Sequence, residues 1–117
     1  KTAYPAGDIG DDIISDAARF ISGNFTQNFS LAQLAAKYNM SPSYFSRKFK
    51  LCTGFGYKEY LITVRTIEAC RLLLNTDMSI TEIAEKCGFE DSNYFGDCFK
   101  KIKGISPREY RKANGVV

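Results

Sequence analysis

Residues 79–100 read SITEIAEKCGFEDSNYFGDCFK, and the order of residue types in this stretch decides the fold. Ser79 with Glu82 three positions on forms a capping box, in which hydroxyl and carboxylate satisfy the first free amides of a helix reciprocally. Ala84 sits mid-helix, where a small side chain lets a second helix cross closely. Four residues later Gly88 supplies a residue type that tolerates the left-handed backbone of a tight turn, and Phe89 plugs that turn. Asp91 caps the segment that follows, and Phe95 and Phe99 anchor it at i, i+4. The unit is a short helix, a tight turn and a second short helix.

The same unit occurs earlier in the chain. With Leu31–Leu61 set beside Ile80–Arg111, Leu34-Ala35 matches Ile83-Ala84 and Lys37 matches Lys86. After a one-residue insertion in the second copy, Tyr44-Phe45 matches Tyr94-Phe95 and Phe49-Lys50 matches Phe99-Lys100. Gly54 then matches Gly104, and Glu59-Tyr60 matches Glu109-Tyr110; nine of the 31 aligned pairs are identical, so the unit is duplicated. In the first copy Ser30 with Gln33 is the capping box, Ala35 the small crossing residue, Asn39 the left-handed position and Met40 the plug. Ser41-Pro42 and Ser106-Pro107 place a capping hydroxyl before a proline at the first helical position, and Glu109 completes a further box.

Outside the duplicated units, Ile14, Ala17, Ala18, Ile21 and Phe25 recur at helical spacing, which predicts a helix starting at Asp11 or Asp12. A long helix is predicted over 57–75, uninterrupted by Gly or Pro, with Tyr60, Leu61, Val64, Ile67 and Leu74 on its apolar face. No strand signal is found. The predicted fold is all-α, with about seven helices forming two helix-turn-helix subdomains joined by a long linker helix. Residues 1–10 form a linker or tail, 11–112 the domain and 113–117 a tail. Within the domain the first unit covers about 11–55, the linker helix about 57–75 and the second unit about 79–112.

Composition narrows the function. With no histidine, His-based catalysis and imidazole-containing zinc sites are excluded. Cys52, Cys70, Cys87 and Cys98 contain no C-x-x-C pair and fall within or beside helical apolar patterns, which predicts buried free thiols and a reducing cytoplasm. Asp8, Asp11 and Asp12 lack the spacing of a calcium loop and are read as linker and helix-start acids. No stretch approaches the ~20 apolar residues of a membrane-spanning helix. No metal, no cofactor and no enzymatic activity are expected, because no nucleophile–base pair, phosphate loop or metal cluster is present.

Charge is unevenly distributed. Residues 1–29 carry a net charge of −2 and residues 30–117 a net charge of +5. On the second helix of the first unit, Ser43, Ser46, Arg47 and Lys50 fall on one stripe opposite Phe45, Phe49 and Cys52; the equivalent stripe in the second unit is Asn93, Gly96, Asp97 and Lys100. A helix fits the major groove of DNA, where arginine can bind guanine O6 and N7 and asparagine adenine N6 and N7. A connecting helix would place two such heads about one DNA turn apart, ~34 Å.

These residues resemble the DNA-binding domain of AraC/XylS-type bacterial transcription regulators over roughly Asp12 to Lys112. The resemblance is carried by residues 41–50 (SPSYFSRKFK) with Thr53-Gly54, and by residues 80–89 (ITEIAEKCGF) with Tyr94-Phe95, Phe99-Lys100, Gly104 and residues 106–111 (SPREYR). It implies two recognition helices entering successive major grooves. Ser43, Ser46 and Arg47 would occupy the base-reading places of the first, and Ser92, Asn93, Gly96 and Asp97 those of the second. Lys50, Lys100, Lys101 and Arg111 would contact phosphate. The second unit departs from the family pattern at Gly96 and Asp97, so the first is expected to dominate affinity.

The expected function is therefore sequence-specific double-stranded DNA binding by a cytoplasmic bacterial transcription regulator, often an activator in this family, with RNA polymerase as a further partner. The domain alone is expected to be a monomer and part of a longer protein that can dimerise. The alternative is a helical protein-interaction module, contacting RNA polymerase or another partner without reading DNA.

Overall fold

The computed structural model describes residues 9–114. The expected tail residues 1–8 and 115–117, Asp8 among them, lie outside the described residues, as do the side chains of residues 9–11. Seven helices follow one another: α1 (Ile9–Gly23), α2 (Leu31–Lys37), α3 (Pro42–Thr53), α4 (Tyr57–Asn75), α5 (Ile80–Lys86), α6 (Ser92–Lys103) and α7 (Pro107–Asn114). No strand occurs among the described residues, so the chain is all-α as expected. Two boundaries differ from the sequence reading. α1 begins at Ile9 rather than Asp11 or Asp12, and α7 extends to Asn114. Terminal turns carry few intrahelical bonds, so no residue pattern pins them sharply.

The caps form as the residue types require. Ser30 and Ser79 each accept from the amide three residues on, while Gln33 and Glu82 accept from the Ser30 and Ser79 amides at 2.9 and 2.8 Å. Ser41 and Asp91 cap α3 and α6 by accepting from the Tyr44 and Tyr94 amides. Ser106 and Glu109 form the box that opens α7. Each such cap contributes about 1 kcal/mol to the start of its helix.

The chain divides into two compact units. The first holds residues up to Asn24 and Asn28–Leu61; the second holds Phe25–Gln27 and Ile62 onward. The division falls inside α4, the long helix that joins the two units: Tyr57 and Leu61 are core residues of the first unit, and Ala69, Leu72 and Leu73 of the second.

In the first unit, α1 and α2 both pack on α3. Ile14, Ala17 and Ile21 from α1, Leu34 and Ala35 from α2, and Phe45 and Phe49 from α3 are buried. Phe49 meets the ring of Tyr60 edge-on at 5.4 Å. The Tyr57 hydroxyl donates to the Phe29 carbonyl, fixing the end of the α1–α2 connection. Phe25, expected to continue the α1 stripe, lies beyond that helix, which closes at Gly23 with the Asn24 side chain donating to the Phe20 carbonyl.

In the second unit, α6 packs on α5 and α7. Ile83, Ala84, Cys87, Phe89, Phe95 and Phe99 join Ala69, Leu72 and Leu73 in one core cluster. Phe99 meets Tyr110 edge-on at 5.4 Å, as Phe49 meets Tyr60 in the first unit. Burial among apolar side chains, with the Glu68 charge adding to it, pushes the Cys87 thiol up to about 11. It is therefore protonated and inert at neutral pH.

Two expectations about burial are corrected. Cys52 is exposed, and Cys70 and Cys98 are half-buried; only Cys87 is a buried thiol. Cys52 lies on the angular face of Phe45 and Phe49 but in the last turn of α3, where that face runs past the core. On α4, Ile67 is 66% exposed and Leu74 only half-buried. The buried face instead passes through Tyr57, Leu61, Arg65, Ala69 and Leu72. A polar residue in that row hides it from a reading of apolar periodicity.

Candidate nucleic-acid interface

The turn that sets each second helix is built from the backbone outward. In the first unit the Met40 amide donates to the Ala35 carbonyl at 2.9 Å, and in the second the Phe89 amide donates to Ala84 at 2.9 Å. Both turns pass through a left-handed residue, Asn39 at φ +57° and Gly88 at φ +93°. The turn residues singled out in the sequence are those that adopt this backbone.

From these turns α3 and α6 emerge in equivalent register. Ser43, Tyr44, Arg47 and Lys50 are exposed, Ser46 is half-buried, and Phe45 and Phe49 are buried. Fifty residues on, Asn93, Tyr94, Asp97 and Lys100 are exposed, Gly96 is half-buried, and Phe95 and Phe99 are buried. Ser92 is half-buried at the first position of α6, and Lys101 is exposed in its last turns. The structure thus brings the base-reading candidates of each unit onto one outward helix face. Their chemistry differs. The Arg47 guanidinium lies over the Tyr44 ring, 5.6 Å from its centroid, a stacking that holds a long flexible side chain near the helix surface. At the matching position Asp97 carries the opposite charge.

Lys50, Lys100 and Lys101 are exposed and sit in no ion pair among the described residues. The last turn of α6 gathers Lys100, Lys101 and Lys103, where cations suit the negative end of the helix dipole. Asp97 forms no ion pair with Lys100 or Lys101, so intrahelical pairing does not account for it. No β-carbon neighbour explains Gly96 either, since nothing lies within 4 Å of where one would stand.

Arg111, expected among the phosphate-contacting bases, is otherwise engaged. It is half-buried, with Nε donating to the Leu73 carbonyl at 3.0 Å and an NH2 group to the Thr76 carbonyl at 3.0 Å. It closes the end of α4 and the connection into α5, which is a structural task. Arg65 is the residue that the sequence reading missed. Almost fully buried, it donates to the Phe25 carbonyl at 2.7 Å and the Gln27 carbonyl at 3.1 Å, and lies over the Phe89 ring at 5.7 Å. Its one signal in the sequence is position, midway between the apolar Leu61 and Ala69 on the α4 face. Tyr44 as the platform for Arg47 was missed as well, its signal in the sequence being the i, i+3 spacing of the two residues.

Two duplicated helix-turn-helix units, each presenting a polar-faced second helix, define a tandem helix-turn-helix protein. A family model described as a helix-turn-helix domain matches residues 34–113. The HTH-type transcriptional regulator YisR of Bacillus subtilis is 34% identical over 112 residues, 96% of this chain and 39% of YisR. The HTH-type transcriptional activator RhaS of Klebsiella pneumoniae is 32% identical over 107 residues, 92% of this chain and 38% of RhaS. Among solved structures, the C-terminal domain of AraT, a response regulator from Geobacillus stearothermophilus, superposes with a TM-score of 0.85 at 36% identity, covering 90% of this chain and 88% of that one. The DNA-binding domain of AdpA, a global transcriptional factor solved in complex with a target DNA, gives a TM-score of 0.81 at 33% identity, covering 86% of this chain and 90% of that one. The chain belongs to the AraC/XylS-type helix-turn-helix family. It spans less than two-fifths of the length of these curated relatives. No helix among the described residues is long and apolar enough to cross a membrane.

Proposed function

We propose that this chain binds double-stranded DNA sequence-specifically, as the DNA-reading part of a bacterial transcription regulator. The observation that carries the proposal is the register match of α3 and α6. Both present an exposed polar stripe on a helix whose opposite face is locked by two buried phenylalanines. The AdpA domain solved with its target DNA supports the same reading. Ser43, Ser46 and Arg47 read bases through α3, and Ser92, Asn93, Gly96 and Asp97 through α6, the two helices addressing successive major-groove segments. Lys50, Lys100 and Lys101 neutralise phosphates, which positions the protein without specifying sequence. Arg111 is left out of that set because its donors hold the carbonyls of Leu73 and Thr76.

In this proposal the protein acts by binding and not by catalysis, in the cytoplasm, with RNA polymerase as a further contact of the DNA-bound regulator. The isolated chain is a monomer, and a longer parent protein can dimerise. Affinity rests chiefly on the first unit, because Arg47 adds positive charge where Asp97 adds negative.

A salt titration tests the proposal. Log affinity for duplex DNA falls with log salt at a slope of about −0.9 per phosphate neutralised, so three lysines give about −2.7. Selection from a random duplex library enriches a motif with two short boxes. Weak, salt-insensitive binding with no enriched motif would overturn the reading in favour of a protein-interaction module.

A further inference from the structure

Two features of α6 are left over once its packing has been explained, and they stand side by side. Gly96 places within a continuous helix the residue that least favours one short of proline, yet nothing lies within 4 Å of where its missing β-carbon would stand. Asp97 projects an exposed carboxylate from the stripe that forms no ion pair among the described residues. A carboxylate on a DNA-facing helix is repelled by phosphates, so it is tolerated only where a hydrogen-bond donor on the DNA meets it. In the major groove, cytosine N4 is the donor suited to an acidic side chain: guanine presents acceptors at N7 and O6 and thymine an acceptor at O4, while the N6 donor of adenine stands beside its N7 acceptor, which repels the second carboxylate oxygen.

We propose that Asp97 selects cytosine in the box read by α6, and that Gly96 is the device that lets its carboxylate reach the base. This inference rests on the DNA-reading function proposed above. Reach is the physical link between the two residues. An aspartate carboxylate stands one carbon from Cβ, far shorter than the guanidinium arm of Arg47 at the equivalent position of α3. A short reader must bring its helix closer to the base edge, and a helix approaches closest where a side chain is absent. The half-buried Ser46 of α3 holds the place of Gly96, beside a long reader that needs no such approach. The two units therefore read opposite hydrogen-bonding edges at one register position: Arg47 donates to guanine acceptors and Asp97 accepts from a cytosine donor. The operator is two unlike boxes rather than a direct repeat, with the guanine preference assigned to α3 and the cytosine preference to α6.

The test is library selection followed by competition binding with single-base variants of the enriched duplex, using the chain itself. The wild type prefers cytosine over adenine, guanine and thymine by about 10-fold at one position of the second box, and a preference for adenine there would overturn the inference. Asp97→Ala brings all four bases at that position to within about 2-fold of one another and leaves the first box unchanged. Asp97→Asn moves the preference to adenine, whose N6 and N7 an amide can address together. Gly96→Ala lowers the cytosine preference at the same position while the melting temperature rises, which separates lost reach from lost folding. Arg47→Ala flattens a guanine preference in the first box only.

If Asp97→Ala raises affinity for every duplex alike and leaves all preferences intact, the carboxylate merely repels DNA and the inference falls while DNA reading stands. If the wild type enriches no motif and Arg47→Ala changes nothing, DNA reading itself falls, and this inference falls with it.

Discussion

The turns at Asn39 and Gly88 solve one geometric problem in two settings. Each reverses the chain in a left-handed conformation and returns an amide to the alanine five residues back. Asn39 is exposed, so its side chain is accommodated and only the backbone conformation matters. At Gly88 a β-carbon would stand 2.8 Å from Thr26 Cα, 3.0 Å from the Thr26 carbonyl oxygen and 3.1 Å from Arg65 Nε. Arg65 draws the 25–27 segment onto this turn by holding two of its carbonyls. Duplicated units thus need not keep duplicated constraints: the same turn is local in the first and tied to distant chain in the second.

Substituting both turns breaks the comparison open. Gly88→Ala combines left-handed strain with a backbone clash and costs about 3 kcal/mol in the second unit. Asn39→Ala meets only the conformational penalty, about 1 kcal/mol. Chemical denaturation of the two variants measures the difference, and equal losses would show that the clash with Thr26 is relieved without cost.

This asymmetry marks what can be read from the chain. The duplicated unit, its five capped helix starts, the left-handed positions and the paired phenylalanines were legible, because each depends on neighbours a few residues away. The stripes on α3 and α6 were legible for the same reason: a helix whose buried residues are known fixes its outward face. Arg65 and Arg111 were not. Each gains its meaning from carbonyls 35–40 residues distant in sequence, and an arginine on a helix otherwise reads as surface. The exposure of Ile67 and Cys52 was hidden likewise, since periodicity names a face but not where the covering chain stops.

The two recognition helices differ again at the Ser46 and Gly96 positions, and here substitution by alanine sharpens the contrast in stability. With no neighbour within 4 Å, Gly96→Ala removes backbone freedom from the unfolded chain without meeting anything in the folded one. It is expected to stabilise the second unit by about 1 kcal/mol, whereas Ser46→Ala gains about half as much from propensity alone. Thermal unfolding of the two variants checks the ranking. A Gly96→Ala loss of stability would mean that α6 needs its glycine for packing.

The smallest effect separates the two capping boxes. At α2 the Ser30 amide donates to Gln33, which does not titrate; at α5 the Ser79 amide donates to Glu82. Hydrogen bonds from the Ser79 amide and hydroxyl hold the Glu82 carboxyl below its ordinary 4.5. A folded-state pKa below the unfolded one stabilises the fold fully above about 4.5, and the contribution drains away as pH falls through the lowered value. Between pH 5 and 3, therefore, the α5 cap weakens and the α2 cap does not. Glu109, held low by its Ser106 partner, adds to the same loss at α7. Melting temperatures across this range are expected to fall less for Glu82→Gln than for the unaltered chain, and more for Gln33→Glu, which carries the acid-sensitive box into the first unit. An unchanged acid slope in both variants would assign the sensitivity to carboxylates outside the caps.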